Sequence, residues 1–335
     1  MRYDEMNPKE NILTAFNHTE PAWVPTPMVD RSMTVVTHGL VEYPRGGGID
    51  DWGVRWKQGE EEVGAGLPVT HPVQKPEDIE DYPFPDPDSD ALMEPALEGL
   101  KQVDRSTTLV FGDNGWGLFE RSWILTGMDK LLIWMYREPD AVRLLLTKIA
   151  EVKVRITERL LDEVGVDGVR YGDDWGGESE LMMGPVLWRK FIKPKQQLLY
   201  DACIEREALI MQHADGHIEE IIPDLIGMGL TLLNPLQPEC NNVEKVKKTY
   251  GSDISFHGAV GSRILDKGTT TQVTEEVKTR INQLGKDGGY VLAPAHAYSY
   301  SEENLNAFRQ AAIEYGKIPE KWIRNSSVEM GDIEV

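Results

Sequence analysis

The sequence predicts a single α/β domain that folds as a (β/α)8 TIM barrel with N-terminal helical and loop additions. Short apolar runs bounded by turn residues alternate with helical patterns, which is typical of a parallel sheet. From about Gly165 onward this repeat is regular, and no linker rich in Pro, Gly or Ser divides residues 1–335. An eighth strand is expected in the irregular 49–73 region, because eight strand–helix units close a barrel.

The other strands are predicted from apolar runs, and an open doubly wound sheet is the alternative. No G-x-G-x-x-G follows a first strand, which disfavours that alternative. The predicted strands are residues 23–29, 108–112, 168–171, 208–212, 231–234, 254–257 and 289–293.

Helical spacing of apolar residues fills the intervals. Helices are predicted over 7–16, over 141–164, from Gly184 to about Arg206, and after Ser301, which has a residue type suited to an N-cap. The polar residues 318–335 are predicted to form a C-terminal tail, either packed on the barrel or disordered.

Composition excludes several classes of function. The net charge of −21 argues against nucleic acid, anionic membranes and polyanionic ligands. No run approaches the roughly 18 apolar residues of a membrane span, and the N-terminus lacks the apolar core of a secretory signal. The two cysteines, Cys203 and Cys240, are too few for a disulfide framework and fit a reducing compartment. A cytoplasmic protein is therefore expected.

The stretch His213-Ala-Asp-Gly-His217 is the most informative part of the chain. It follows a buried apolar run, and residues i and i+2 of a strand point to the same side, so His213 and Asp215 can converge. A second predicted strand is followed by His296. Two strands that present imidazoles at their carboxyl ends are typical of a barrel active site.

The remaining candidates also lie in loops that follow predicted strands. Asp173 and Asp174 are candidates for catalysis together with His213, Asp215 and His296, although the two aspartates could instead cap a helix. His257 could equally cap a turn. The candidates for substrate binding are Trp116, Tyr171, Trp175, Asn234, Gln237, His257 and Tyr298.

Histidines and carboxylates at one place support two kinds of chemistry. They can bind a borderline metal such as zinc, or act as general acid and base without a metal. There is no G-x-S-x-G, Walker loop or paired CxxC, so serine-triad hydrolases and nucleotide-phosphate enzymes have no positive support.

In its motifs the chain resembles the uroporphyrinogen decarboxylase superfamily, specifically its methyltransferase-like branch, over nearly the whole length. The match rests on the order and spacing of short pieces. These are Phe16-Asn-His-Thr-Glu-Pro21, Phe119-Glu120, Gly172-Asp-Asp-Trp-Gly176, Phe191-Ile-Lys-Pro194, His213-Ala-Asp-Gly216, Ile222-Pro-Asp-Leu225, Leu233-Asn-Pro-Leu-Gln-Pro238, Phe256-His-Gly258 and Leu292-Ala-Pro294.

The resemblance implies a (β/α)8 barrel with its site at the carboxyl ends of the strands. Methyltransferases of this branch move a methyl group between a small substrate and a corrinoid held on a separate protein. Many bind zinc through a His-x-Cys pair and a later Cys. The His falls on His213, the first Cys position on Asp215 and the later one near His296, so these three are the expected metal ligands of a changed set.

The resulting hypothesis is a corrinoid-dependent methyltransferase. Its donor would be a methoxylated aromatic, a methylamine-like compound or another small methylated molecule. The alternative is a decarboxylase-type lyase acting on a small carboxylated substrate. The decarboxylase branch carries an Arg-rich motif, but the matching stretch here, Pro27-Met-Val-Asp-Arg-Ser-Met33, holds only Arg31. A third hypothesis is a non-catalytic barrel that binds a ligand or partner.

Overall fold

The computed structural model describes residues 6–44, 46–58, 66–296 and 299–323. The strands are β1 Met33–Thr37, β2 Gly48–Ile49, β3 Arg55–Lys57, β4 Leu67–Pro68, β5 Leu109–Trp116, β6 Gly168–Gly172, β7 Leu209–His213, β8 Leu232–Asn234, β9 Ser255–Val260 and β10 Tyr290–Pro294. The α-helices are α1 Pro8–Phe16, α2 Pro27–Asp30, α3 Glu94–Leu100, α4 Leu118–Thr126, α5 Met128–Arg137, α6 Pro139–Arg159, α7 Gly184–Leu187, α8 Lys193–Ile204, α9 Ile222–Gly227, α10 Val243–Tyr250, α11 Ser262–Lys267, α12 Thr270–Leu284 and α13 Glu302–Gly316.

A curled parallel sheet of seven strands forms the centre, in the order β1-β5-β6-β7-β8-β9-β10. Each neighbouring pair is parallel, and helices connect most successive strands on the outside, as parallel pairing requires. The predicted α/β class and a barrel-like fold are therefore confirmed. The barrel is not fully closed, since within the described ranges no strand ladder joins β10 to β1.

Two of the strand predictions are wrong. Residues 23–29 form no strand, because Pro25 and Pro27 remove backbone donors from the segment and α2 begins at Pro27. The segment still lies beside the last strand, where Leu292 N donates to Pro25 O at 2.9 Å. The 49–73 region, within its described residues 49–58 and 66–73, supplies no eighth barrel strand either. It contributes to a separate antiparallel sheet of β2, β3 and β4.

The strand β1 pairs with β5 in the barrel, although it is not among the predicted strands. Its run of Thr and Val residues has high strand propensity. The strand is short and only partly buried, so its sequence lacks a long apolar run.

The helix predictions agree with the structure. α6 continues as a π-helix through Val164, α7 and α8 are joined by a π-helical turn over Trp188–Ile192, and the Ser301 side chain accepts from Asn304 N to cap α13. The last part of the predicted tail, residues 324–335, lies outside the described residues. No helix in the described part of the chain is both long and apolar enough to cross a membrane.

The barrel interior is an apolar cluster closed at one end by α1. Ile12 and Phe16 of that helix pack against residues from the beginnings of the strands. The cluster comprises Ile12, Phe16, Met33, Leu109, Phe111, Met211, Leu232 and Val291. Because this plug fills the amino end of the barrel, a ligand can enter only at the carboxyl ends of the strands.

Candidate functional site

A layer of polar side chains lies above this apolar interior, placed there by strand alternation. Residue i+2 on a strand faces the same side as residue i, so Asp113 follows Phe111, His213 follows Met211 and Asn234 follows Leu232 into the barrel. His257 stands in register with the interior residue Val291, and Arg170 stands in register with Met211. The layer therefore consists of Asp113, Arg170, His213, Asn234 and His257.

Asn234 links two histidines of this layer. Its Oδ1 lies 2.7 Å from His213 Nδ1, and its Nδ2 is hydrogen-bonded to His257 Nδ1. The amide therefore accepts from His213 Nδ1–H and donates to His257 Nδ1. In the neutral imidazole this arrangement places the proton of His213 on Nδ1 and leaves the Nε2 lone pair toward the barrel mouth. Fixing the far nitrogen of a ligand histidine in this way is typical of metal sites.

Two carboxylates face the free Nε2 of His213. Asp174 Oδ1 lies 3.6 Å and Asp215 Oδ2 lies 3.8 Å from it, which is too long for hydrogen bonds. The three ligand atoms lie within 4.8 Å of one another. Tetrahedral zinc with bonds of about 2.0–2.1 Å separates its ligands by roughly 3.3 Å. Asp215 Oδ1 is buried and has no hydrogen-bond partner among the described residues, so the donor set and its spacing fit a metal ion.

Backbone contact between two loops holds these carboxylates together. Asp215 N donates to Asp174 Oδ1 at 2.9 Å, and Gly176 N donates to Asp215 O at 3.1 Å. A Cβ on Gly176 would lie 2.5 Å from Asp215 O, and Gly216 adopts φ +83°. Glycine is therefore required where the loops touch.

His296 contacts the same group through Asp215. Its Nδ1 lies 3.0 Å from Asp215 Oδ2. The three residues whose ligand atoms cluster are Asp174, His213 and Asp215, and His296 is not among them. Burial alone would lower the pKa of His296, but the hydrogen bond to Asp215 and nearby carboxylates raise it. Burial would likewise raise the pKa of Asp215, yet His296 and His213 hold it below its ordinary value. The two residues form an ion pair beside the cluster.

Asp173 does not point into the site. It is fully buried and accepts from Phe119 N at 3.0 Å, Glu120 N at 2.8 Å and Trp175 Nε1 at 2.6 Å. It therefore caps the first turn of α4, which is the structural alternative considered for the aspartate pair. Burial raises the pKa of Asp173 to about 7, although the three N–H donors act in the opposite direction.

Glu120 lies beside the site but is not among the candidates predicted from the sequence. It lies in the first turn of α4, partly buried. Burial and the nearby charges of Asp174 and Asp173 raise the pKa of Glu120 well above its ordinary value. The pair Phe119-Glu120 was noted only as part of a motif, since nothing local in the sequence places an α4 residue beside the loop that follows β6.

Arg170 was missed as well, although a signal was present. A charged residue inside the otherwise apolar predicted strand 168–171 is unusual, because parallel strands are covered on both faces. Its NH1 donates to Asp113 Oδ1 at 2.8 Å, and its side chain is 10% exposed. It is thus a nearly buried cation at the floor of the site.

Trp116 lies at one side of the barrel mouth. Its ring centroid is 5.0 Å from that of Trp56. The Arg121 guanidinium lies over the Trp116 ring, with its central carbon 5.4 Å from the ring centroid. Trp116 N donates to Glu42 Oε2 at 2.6 Å. Glu42 is also ion-paired with Lys153, so the N-terminal additions are anchored to the barrel by buried charges.

The other predicted binding residues are divided between the site and the core. Gln237 Oε1 accepts from Gly216 N at 2.8 Å and so supports the loop that carries Asp215. Trp175 is fully buried against Trp188. Tyr171 faces away from the barrel interior, since its hydroxyl donates to Leu199 O at 2.9 Å. Tyr298 lies outside the described residues.

Comparisons with known proteins agree with this architecture. The family model described as uroporphyrinogen decarboxylase (URO-D) matches residues 57–315. Uroporphyrinogen decarboxylase of Sodalis glossinidius is 21% identical over 277 residues, covering 78% of this chain and 72% of its own. The enzyme of Histophilus somni is 22% identical over 250 residues, covering 70% and 66%.

A solved structure shows the same fold. A methyltransferase from Methanosarcina mazei superposes with a TM-score of 0.73 at 17% identity, covering 93% of this chain and 99% of that one. At this identity the likeness shows a shared fold. The family match, which spans more than half of the sequence, carries the assignment: the chain belongs to the uroporphyrinogen decarboxylase family.

Proposed function

We propose that this protein is a methyltransferase that moves a methyl group from a small methylated donor to the corrinoid of a partner protein. One observation carries the proposal: Nε2 of His213 faces Asp174 and Asp215 at the open end of the barrel. Family membership and the fold shared with a methyltransferase support the reaction class.

The residues that would hold a zinc ion are His213, Asp174 and Asp215. This set replaces His296 of the expectation with Asp174, because His296 is hydrogen-bonded to Asp215 instead. A bound zinc ion would act as a Lewis acid on the heteroatom that loses the methyl group. Asn234 fixes the tautomer of His213, and His296 orients the Asp215 carboxylate.

The protein has two tasks in methyl transfer. The reaction is an in-line displacement in which the methyl group leaves and the donor heteroatom keeps the bonding electrons, so the donor must be oriented. The heteroatom also needs a proton or a positive charge. The hydrogen bond to Asp215 raises the pKa of His296 in spite of its burial, which favours the protonated form, and His296 can supply a proton from Nε2 by general acid catalysis.

A lyase that acts on a porphyrinogen-like substrate has less support than the methyltransferase. Several carboxylates would need several cations, and the single arginine of the matching N-terminal stretch, Arg31, is solvent-exposed at the end of α2. The net charge of −21 acts in the same direction. A polycarboxylate substrate is therefore disfavoured, whereas a small donor remains compatible with the site.

Bound metal and methyl transfer should be measured on the same variants. We expect near-stoichiometric zinc in the wild type, and its loss in His213→Ala with at least a roughly tenfold slower transfer to cob(I)alamin from a panel of methoxylated aromatics and methylamines. The matched control is His71→Gln, since His71 contacts Ile124 O on another part of the chain. Unchanged metal content and rates in His213→Ala would overturn the proposal.

A further inference from the structure

Strand β6 carries a positive charge into the barrel. Arg170 stands in register with Asp113 on one side and Met211 on the other. Met211 belongs to the apolar interior, and neighbouring residues in register share a face of the sheet. The Arg170 side chain therefore points into the barrel, between the apolar interior and the His213 cluster.

The hydrogen-bonding capacity of this guanidinium is largely unused. A guanidinium has five N–H donors. Within the described residues, Arg170 uses NH1 to donate one hydrogen bond to Asp113 Oδ1. Its Nε is buried without a partner within the described residues. The side chains of Arg170 and Asp113 keep 10% and 19% of their surface exposed.

A structural role alone accounts poorly for this arrangement. Burying an ion pair gains little over apolar side chains of similar size, and the layer just beneath is filled by Phe111 and Met211. His257 cannot neutralise Arg170, because an imidazole carries either no charge or a positive charge. Burial, and then the charge of Arg170, lowers the pKa of His257. A guanidinium with a free edge is the group best suited to bind a carboxylate through two hydrogen bonds.

We propose that Arg170 binds a carboxylate of the methyl donor, so that the donor is a small monocarboxylic acid with a methylated oxygen or nitrogen. The inference rests on the proposed methyl transfer, whose substrate class it narrows. Because Arg170 stands in register with Met211, two residues before His213 on β7, the acid group is held at the floor while the methylated atom points to the His213 cluster. A single carboxylate also agrees with the exclusion of polyanions by charge.

Direct binding tests the inference without requiring turnover. Calorimetry would use 4-methoxybenzoate, methoxyacetate and N,N-dimethylglycine, with 4-methoxybenzamide as a neutral analogue. We expect at least one acid to bind the wild type and Arg170→Gln to weaken that binding by roughly 10–100-fold. Binding of the neutral amide should not change. The matched control is Arg189→Gln, a surface arginine paired with Asp224, which should bind the acids like the wild type.

A second variant guards against misfolding. Arg170→Lys keeps the charge and loses the planar fork, so it should bind the acid with intermediate affinity. The proposal is overturned if no acid binds the wild type more tightly than Arg170→Gln, or if acid and amide lose affinity equally. Methyl transfer from neutral donors alone would overturn this inference and keep the proposed function. Arg170-dependent acid binding without methyl transfer, and with release of carbon dioxide, would contradict the proposed function instead.

Discussion

Acid sensitivity of the fold should depend on His257. This side chain is 2% exposed, and its Nδ1 accepts from Asn234 Nδ2. Burial, then the charges of Arg170 and His213, lower the pKa of His257 from 6.5 to about 3. A proton on Nδ1 would face the Asn234 amide donor. Accepting it would require the amide to flip, which would break the hydrogen bond to His213.

The magnitude follows from proton linkage. Between pH 6.5 and about 3 the unfolded chain carries a proton on His257 that the folded protein does not, so the free energy of unfolding falls as pH falls. Each pH unit costs about 1.4 kcal/mol. From pH 7.5 to 4.5 the contribution of His257 is a loss of about 2.7 kcal/mol, and above pH 7.5 it is nearly constant.

The assay is urea unfolding of the wild type and of His257→Gln at pH 7.5 and pH 4.5. Glutamine can still accept from Asn234 but does not titrate, so other groups cancel in the comparison. We expect the wild type to lose about 2–3 kcal/mol more than the variant between the two pH values. Equal losses would show that His257 is protonated in the folded protein, and would refute the reasoning about the Asn234 amide.

Three further changes have distinct expected outcomes. Asn234→Ala should weaken zinc binding roughly 10–100-fold by freeing the His213 ring, as measured by competition with a chelator. Lys153→Met should lower the free energy of unfolding by about 3–5 kcal/mol, because it leaves the Glu42 carboxylate buried with one partner fewer; an unchanged urea midpoint would contradict this. Tyr171→Phe should cost about 1 kcal/mol and leave methyl transfer unchanged, because the hydroxyl faces α8; a large change in KM would place Tyr171 at the site instead.

Much of the fold could be predicted from local patterns. The predicted helix 141–164 agrees with α6 and its π-helical extension because Val142, Leu145 and Ile149 recur at the helical period, and all three are buried. The predicted strand 23–29 failed although it is rich in apolar residues, since the two prolines there, Pro25 and Pro27, cannot donate to a ladder. Apolar composition alone does not distinguish an extended segment beside a sheet from a strand within it.

The candidate site could be predicted in part. The i, i+2 pair of His213 and Asp215 does face the same region, because that spacing follows directly from strand geometry. Asp173 and Asp174 are both candidates from the sequence, but the structure gives them different surroundings, because adjacent residues point in opposite directions. Asp174 therefore lies near His213, whereas Asp173 caps α4.

By itself, the sequence determined the alternation of strands and helices, the strand ends that carry polar side chains, and the family resemblance. These features depend on neighbouring residues and on their periodicity. Tertiary structure alone decided which of the two faces of β6 lies inside, so that Arg170 points to the site and Tyr171 to the helices. Both faces of a parallel strand are covered, so only the packing of the whole barrel distinguishes interior from exterior. The same packing places Glu120 beside the loop after β6, a contact between segments that no local pattern encodes.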